Sequence, residues 1–216
     1  FTNYIPHRHD EGFGLNEDAI RQFMEEKVQL LITIDCGIAD FDHIELAQKN
    51  GIDVIVTDHH LPGPKLPGAF AIVNPKQADC NYPEKMLCGA GVIYKLIQAI
   101  LAKNKFGIKE GWEKWLLDMI GIATLSDMVP LTGENRIFAY YGLAVLRKSP
   151  RKGLMRLLQK LKVNQKYLTE EDIGFTIGPR INAASRMGVP MDAFRLLATQ
   201  DDDEADHIHK ESQYHV

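Results

Sequence analysis

"VQLLITIDCGIADFDHIELAQKNGIDVIVTDHH" (residues 28–60) is the stretch that decides the fold. It holds two apolar runs, Val28–Ile34 and Ile52–Thr57. Between them Phe41, Ile44, Glu45, Ala47 and Gln48 recur at helical spacing, and Gly51 ends that pattern. Strands that are apolar on both faces and joined by a helix belong to parallel sheets covered by helices. Both runs end abruptly in metal-capable side chains: Asp35-Cys36-Gly37 after the first, Asp58-His59-His60 after the second.

The same alternation extends outward. Thr2–Pro6 is predicted to be a short strand, and Asn16 to cap a helix over Glu17–Lys27. A Pro/Gly-rich loop (61–68) leads to a further strand, Ala69–Val73. From Gly91 onward apolar residues recur at helical spacing in 92–102, 112–125, 137–146 and 154–161. Breaks are expected at Asp127-Met128-Val129-Pro130 and at Gly178-Pro179-Arg180. The expected class is therefore α/β, a parallel sheet with flanking helices followed by a mostly helical part.

Composition excludes several classes. The chain has 216 residues, is 45% hydrophobic and 25% charged, and carries a formal net charge of -4. That is ordinary for a globular protein and argues against a uniformly basic nucleic-acid binder, though not against a local basic groove. Cys36, Cys80 and Cys88 are too few and too scattered for a disulfide framework or a zinc site, and are expected as reduced thiols in a cytoplasmic protein. No apolar run is long enough to span a membrane.

Ligands of an open parallel sheet bind at the carboxyl ends of its strands. If the two runs are parallel neighbours, Asp35, Asp58, His59 and His60 share one edge. Mixed carboxylate and imidazole donors suit Mn²⁺ and similar divalent ions better than Ca²⁺ or a thiolate-type zinc site. A lone strand-end Asp also serves as a helix cap. The Asp-His-His run is harder to reduce to that. Asp127, at the end of an apolar helical pattern in "IATLSDMVPL" (122–131), is a weak signal alone and gains weight beside the others.

Taken in order, "TIDCGI" (33–38), "VTDHH" (56–60) and "ATLSDMVPL" (123–131) resemble three motifs of the DHH phosphoesterase family. "YIPHRHDEGFGLN" (4–16) and "IGPRINAASRMG" (177–188) resemble its RecJ branch of single-strand-specific 5′-to-3′ exonucleases. The resemblance covers nearly the whole chain. It implies hydrolysis of single-stranded DNA in repair and recombination by two divalent ions, Mn²⁺ before Mg²⁺, about 3.5–4 Å apart. Asp35 then resembles a bridging metal carboxylate, and His59 and Asp127 resemble ligands of the second ion. Asp58 and His60 are assigned to the catalytic step. Asp58 orients the site by hydrogen bonding, and His60 stands near the scissile phosphate. A single-strand-binding protein or a helicase is an implied partner.

The chain departs from the family pattern in three places. The family's first motif, an Asp-x-Asp pair, is expected upstream of Phe1, and a further domain is expected downstream. The expected division is thus a catalytic domain over 1–200, incomplete at its N-terminus, and the start of a linker helix over 201–216. Ser185 stands where the branch usually has Gly, so the backbone near Arg186 is expected to differ.

Phosphate-facing groups are expected at Arg8, Arg180, Asn182 and Arg186. Gly89 and Gly91 of "CGAGV" (88–92) are a further candidate cradle, with tight helix packing as the competing reading. The acid-free basic stretch from Arg147 to Lys166 reads either as a DNA track or as a solvated helix face. Two other functions stay open: a DHH phosphodiesterase of short oligonucleotides or cyclic dinucleotides, and a non-catalytic nucleic-acid-binding relative.

Overall fold

The structure, a computed structural model, describes residues 1–7, 10–187 and 190–211. Helix α1 (Glu17–Glu25) is capped as expected: Asn16 Oδ1 accepts the Ala19 N–H at 2.8 Å, and Glu17 and Asp18 sit near the positive end of the helix dipole. Strand β1 (Leu30–Ile34), helix α2 (Phe41–Lys49) and strand β2 (Asp53–Thr57) follow, then a loop to strand β3 (Ala71–Val73). The strands lie in the order β1-β2-β3, all parallel. Ile34 pairs with Thr57 and Thr57 with Val73, so the three strands end in step. Whatever follows each strand emerges on one carboxyl edge.

Helices α1 and α2 cover one face of the sheet. Ile20, Phe23, Ile44 and Ala47 pack there with Val54 and Val56, all buried. The opposite face corrects the expectation that both faces of β1 are buried. Leu30, Ile32 and Ile34 remain 50, 42 and 54% exposed, because α1 and α2 pack on the face that carries Leu31. Thr2–Pro6 is also not a strand. It is held by side chains instead: the Tyr4 ring stands edge-on to Phe23 at 5.7 Å, its hydroxyl accepts from Asn16 Nδ2 at 3.0 Å, and Asn3 Nδ2 donates to Met191 Sδ at 3.3 Å.

The helical part consists of α3 (Gly89–Lys103), a 3₁₀ turn (Trp112–Leu116), α4 (Leu117–Ser126), α5 (Gly133–Leu146), α6 (Lys152–Lys160), a π-helical turn (Asp172–Ile177), α7 (Gly178–Met187), α8 (Pro190–Ala198) and α9 (Asp202–Glu211). Helices α4 and α5 touch backbone to backbone. A Cβ on Gly142 would lie 2.6 Å from Gly121 Cα and 2.8 Å from Leu117 O, so any side chain there would force the pair apart. The expected break at Gly178-Pro179 does not occur. The π turn runs straight into α7, and its wider turn takes up the proline ring and the missing N–H that an α-helical interior would not.

Half of the basic stretch is tied up within the chain, which weakens the DNA-track reading for those residues. Arg147 donates to Leu168 O at 2.6 and 2.9 Å, and Arg151 Nε donates to buried Asp118 Oδ2 at 2.7 Å. Lys152 pairs with Asp202 at 2.9 Å and Arg156 with Asp206 at 2.5 Å, docking α9 on α6. Among the described residues no helix is long and apolar enough to cross a membrane.

Candidate metal centre

Asp35 directly follows β1, and its N–H donates to Thr57 O at 2.9 Å. Its φ is 65°, a left-handed conformation that L-residues adopt at a cost and that Asp tolerates better than most. The adjoining turn is fixed by the Thr33 hydroxyl, which donates to Cys36 O at 2.8 Å. Asp35 is thereby turned across the carboxyl edge towards β2.

Asp58, His59 and His60 follow β2, where the Asp58 N–H donates to Val73 O at 3.1 Å. Asp58 is 1% exposed and acts as the anchor of the loop. Its Oδ2 accepts from Ile38 N–H at 3.0 Å. Its Oδ1 accepts from His59 N–H at 2.7 Å and His60 N–H at 3.1 Å, and contacts His60 Nδ1 at 2.7 Å. Burial pushes the Asp58 carboxyl up, but these donors outweigh it and hold it below the ordinary range. Asp58 therefore stays charged and positions both imidazoles.

His59 is buried, and its Nδ1 lies 3.0 Å from Leu87 O. That contact requires Nδ1–H, which directs Nε2 at Asp35 Oδ1, 3.0 Å away. The hydrogen bond to Asp35 is the main force raising the His59 pKa, and burial opposes it. One donor atom each from Asp35, His59 and His60 falls within 4.8 Å of the others. Asp127 approaches from the other side of the imidazole, with Oδ2 3.7 Å from Nδ1. It is the C-cap of α4, with its N–H on Ala123 O at 2.9 Å, followed by Met128 in the left-handed region.

These donors fit a divalent cation. Two ligands about 2.0–2.2 Å from one ion and at right angles stand about 3 Å apart, as Asp35 Oδ1 and His59 Nε2 do. Burial, with Asp35 adding to it, raises the Asp127 carboxyl above the usual range against the pull of His59. Asp127 also faces the negative end of the α4 dipole, so nearby positive charge would relieve both effects. The neighbouring thiols are not donors of this kind. Burial first, then Asp40, Asp58 and Asp35, pushes Cys36 up to about 12, and burial raises Cys88 too.

Gly89, the first residue of α3, is part of the geometry. A Cβ there would lie 2.2 Å from Asp35 Oδ1, so the helix start fits against the carboxylate only as glycine. Gly91 faces Leu87 and Phe138 in the core, which is the packing reading. Arg180 lines a small cavity with Leu157, Ile181, Ala193, Leu196 and Leu197, and its Nε has no hydrogen-bond partner there. Asn182 is exposed on α7. Arg8 and the Arg186 side chain lie outside the described residues.

Sequence reasoning missed two residues. Asn74 follows β3 on the same carboxyl edge and is 2% exposed. Its Nδ2 donates to His60 O at 2.9 Å, and its Oδ1 accepts from Lys76 N–H at 2.8 Å. A polar residue at the end of the third parallel run was the available signal. Lys76 itself lies close enough to act electrostatically on both His59 and Asp127.

With that geometry in hand, likeness to known proteins is informative. The chain is 42% identical over 205 residues to the single-stranded-DNA-specific exonuclease RecJ of Bacillus subtilis strain 168, covering 95% of this chain and 25% of the relative. It is 39% identical to the Escherichia coli K12 protein of the same name, covering 85% of this chain and 33% of the relative. A crystal structure of exonuclease RecJ bound to manganese superposes with a TM-score of 0.83 at 35% identity, over 96% of this chain and 51% of that one. RecJ of Thermus thermophilus in complex with Mn²⁺ gives 0.76 at 34% identity, over 90% and 28%. The chain thus spans a quarter to a third of the length of these two curated relatives. The N-terminal domain of the DHH family matches residues 1–124, more than half of the chain and the part that carries Asp35 and Asp58-His59-His60, so the protein belongs to the DHH family.

Proposed function

We propose that this chain carries the metal-handling part of a divalent-cation-dependent exonuclease that removes nucleotides from the 5′ end of single-stranded DNA. The observation that carries the reading is the meeting of Asp35, His59 and His60 at one point, with Asp127 on the far ring nitrogen of His59. Likeness to proteins named single-stranded-DNA-specific exonuclease, one solved with manganese, supports the substrate and the cation.

Asp35, His59 and Asp127 would hold two divalent ions, Mn²⁺ before Mg²⁺. Bound ions would supply an activated water and neutralise charge on the leaving oxygen. The chain's own part is to orient and exclude. Leu87 O fixes the His59 tautomer, leaving Nε2 directed at the site. Asp58 holds His60, whose side chain is 60% exposed, towards the place of the scissile phosphate. Arg8, Arg180, Asn182 and Arg186 are the groups proposed to grip the strand beyond it.

The test uses the full-length protein containing this chain. Nucleotide release is measured from a 5′-phosphorylated single strand, from a duplex and from dinucleotides, with Mn²⁺ and with chelator. Release from the single strand that chelator abolishes, and that Asp35→Ala lowers at least about a hundredfold, is expected. Metal-independent release, or equal attack on duplex, would overturn the reading.

A further inference from the structure

The carboxyl edge carries groups from three strands, and only two of them have a role so far. Past β3 the chain makes a tight turn in which Asn74 Oδ1 takes the Lys76 N–H at 2.8 Å and Gln77 N–H donates to Asn74 O at 3.3 Å. The same Asn74 holds His60 O at 2.9 Å through Nδ2. One buried amide therefore ties the backbone of Lys76 to the backbone of the Asp-His-His loop. Nearby Lys85 is used structurally, its ammonium on Pro75 O at 2.9 Å and Cys80 O at 2.5 Å. The half-buried Lys76 side chain has no such acceptor among the described residues.

We infer that Lys76 is a phosphate-binding residue whose ammonium contacts a non-bridging oxygen of the phosphodiester held at the metal centre. This rests on the nuclease reading above and adds a residue to it. Lys76 stands beside the site: its backbone is joined to that of His60 through the single Asn74 amide, and its positive charge is near enough to act on both His59 and Asp127. A cation that no carboxylate neutralises, fixed at its backbone next to a metal cluster, suits a phosphodiester better than a structural ion pair does. Lysine acts there as a point charge on a flexible stem, without the planar fork of arginine.

The experiment uses the full-length protein and a 5′-phosphorylated, 3′-labelled oligothymidylate, with binding followed by fluorescence anisotropy in chelator across a salt series. One phosphate contact contributes about 0.7 to the slope of log affinity against log salt for a single strand. Lys76→Met is expected to lower the slope by about that amount and Lys76→Arg to keep most of it. A neutral methylphosphonate is then placed at each linkage in turn. At the linkage that is cleaved, the wild type should lose about tenfold in affinity and Lys76→Met should lose nothing further. A slope unchanged in Lys76→Met, or a methylphosphonate penalty that is the same in variant and wild type, overturns the inference while leaving the nuclease reading intact. A wild type that releases no nucleotides with Mn²⁺ overturns both.

Discussion

Asp35 Oδ1 lies 3.0 Å from His59 Nε2, and the α-carbon of Gly89 closes the gap behind the carboxylate. Gly89→Ala tests how much that closure matters. Alanine suits the first turn of a helix, so the fold should survive. The new Cβ would meet Asp35 Oδ1, Cγ and Cβ at 2.2, 2.4 and 2.5 Å, so the whole side chain must shift. Mn²⁺ affinity of the folded variant, read by calorimetry, is expected to fall at least about tenfold, with some loss of stability in the metal-free protein. Unchanged affinity would mean that Asp35 does not bind in the position seen here.

Asp58 is the strongest fixed point of the loop. Asn in its place keeps one acceptor but turns an NH₂ towards donors, so Asp58→Asn leaves buried N–H groups unpaired. A loss of about 3 kcal/mol in denaturant unfolding is expected. The pH dependence has a definite sign. Asp58 is held below its unfolded value of 3.8, so its contribution is present above that value and is lost as pH falls through the depressed pKa. The variant's stability curve should be flatter on the acid side, and an equally steep acid limb would assign that titration elsewhere.

His59 behaves the opposite way. Its pKa is raised above 6.5, so in metal-free protein the stabilisation is full below 6.5 and fades as pH rises through the raised value. A cation at Nε2 must displace that proton. Mn²⁺ binding should therefore weaken as pH drops through the raised pKa and should release protons, measurable as a buffer-dependent heat. Heats independent of buffer would rule out His59 as a ligand.

The parallel order of the strands and the positions of Asp35, Asp58, His59 and His60 were legible because each apolar run ends where its polar cluster begins, and a parallel register then aligns the ends. The Asn16 cap was legible for a local reason too. What could not be read depends on tertiary contact. Nothing in "LLITI" itself tells which face of β1 finds a helix, so the exposure of Leu30, Ile32 and Ile34 is not written in the local pattern. A charge run does not name its partners, so Arg147, Arg151 and Arg156 read as a surface until Leu168 O, Asp118 and Asp206 were seen to meet them. Gly89 could be read from the sequence only as a cradle or as a packing position, because the sequence does not show Asp35 occupying the space beside it.

The contact between Arg151 and Asp118 gives a sharp stability prediction. Asp118 on α4 is 2% exposed and carries three donors: Ser149 Oγ at 2.7 Å, Arg151 Nε at 2.7 Å and the Met119 N–H at 2.7 Å. Arg151 also reaches Leu197 O at 3.4 Å, so the pair links α4, the turn before α6 and α8. Arg151→Ala removes the counter-charge and leaves a buried carboxylate with neutral donors only. Removing one partner of such a pair costs about 3–5 kcal/mol, whereas replacing both by apolar groups of similar size is often neutral or better. Arg151→Ala should thus unfold at markedly lower denaturant, and Asp118→Leu combined with Arg151→Met should recover most of the loss. Because the pair lies away from the Asp35–His59 cluster, Mn²⁺ affinity of the folded double variant should match the wild type. A double variant no more stable than Arg151→Ala would mean that the Ser149 hydroxyl and the Met119 N–H, not the ion pair, set the energetics of this link.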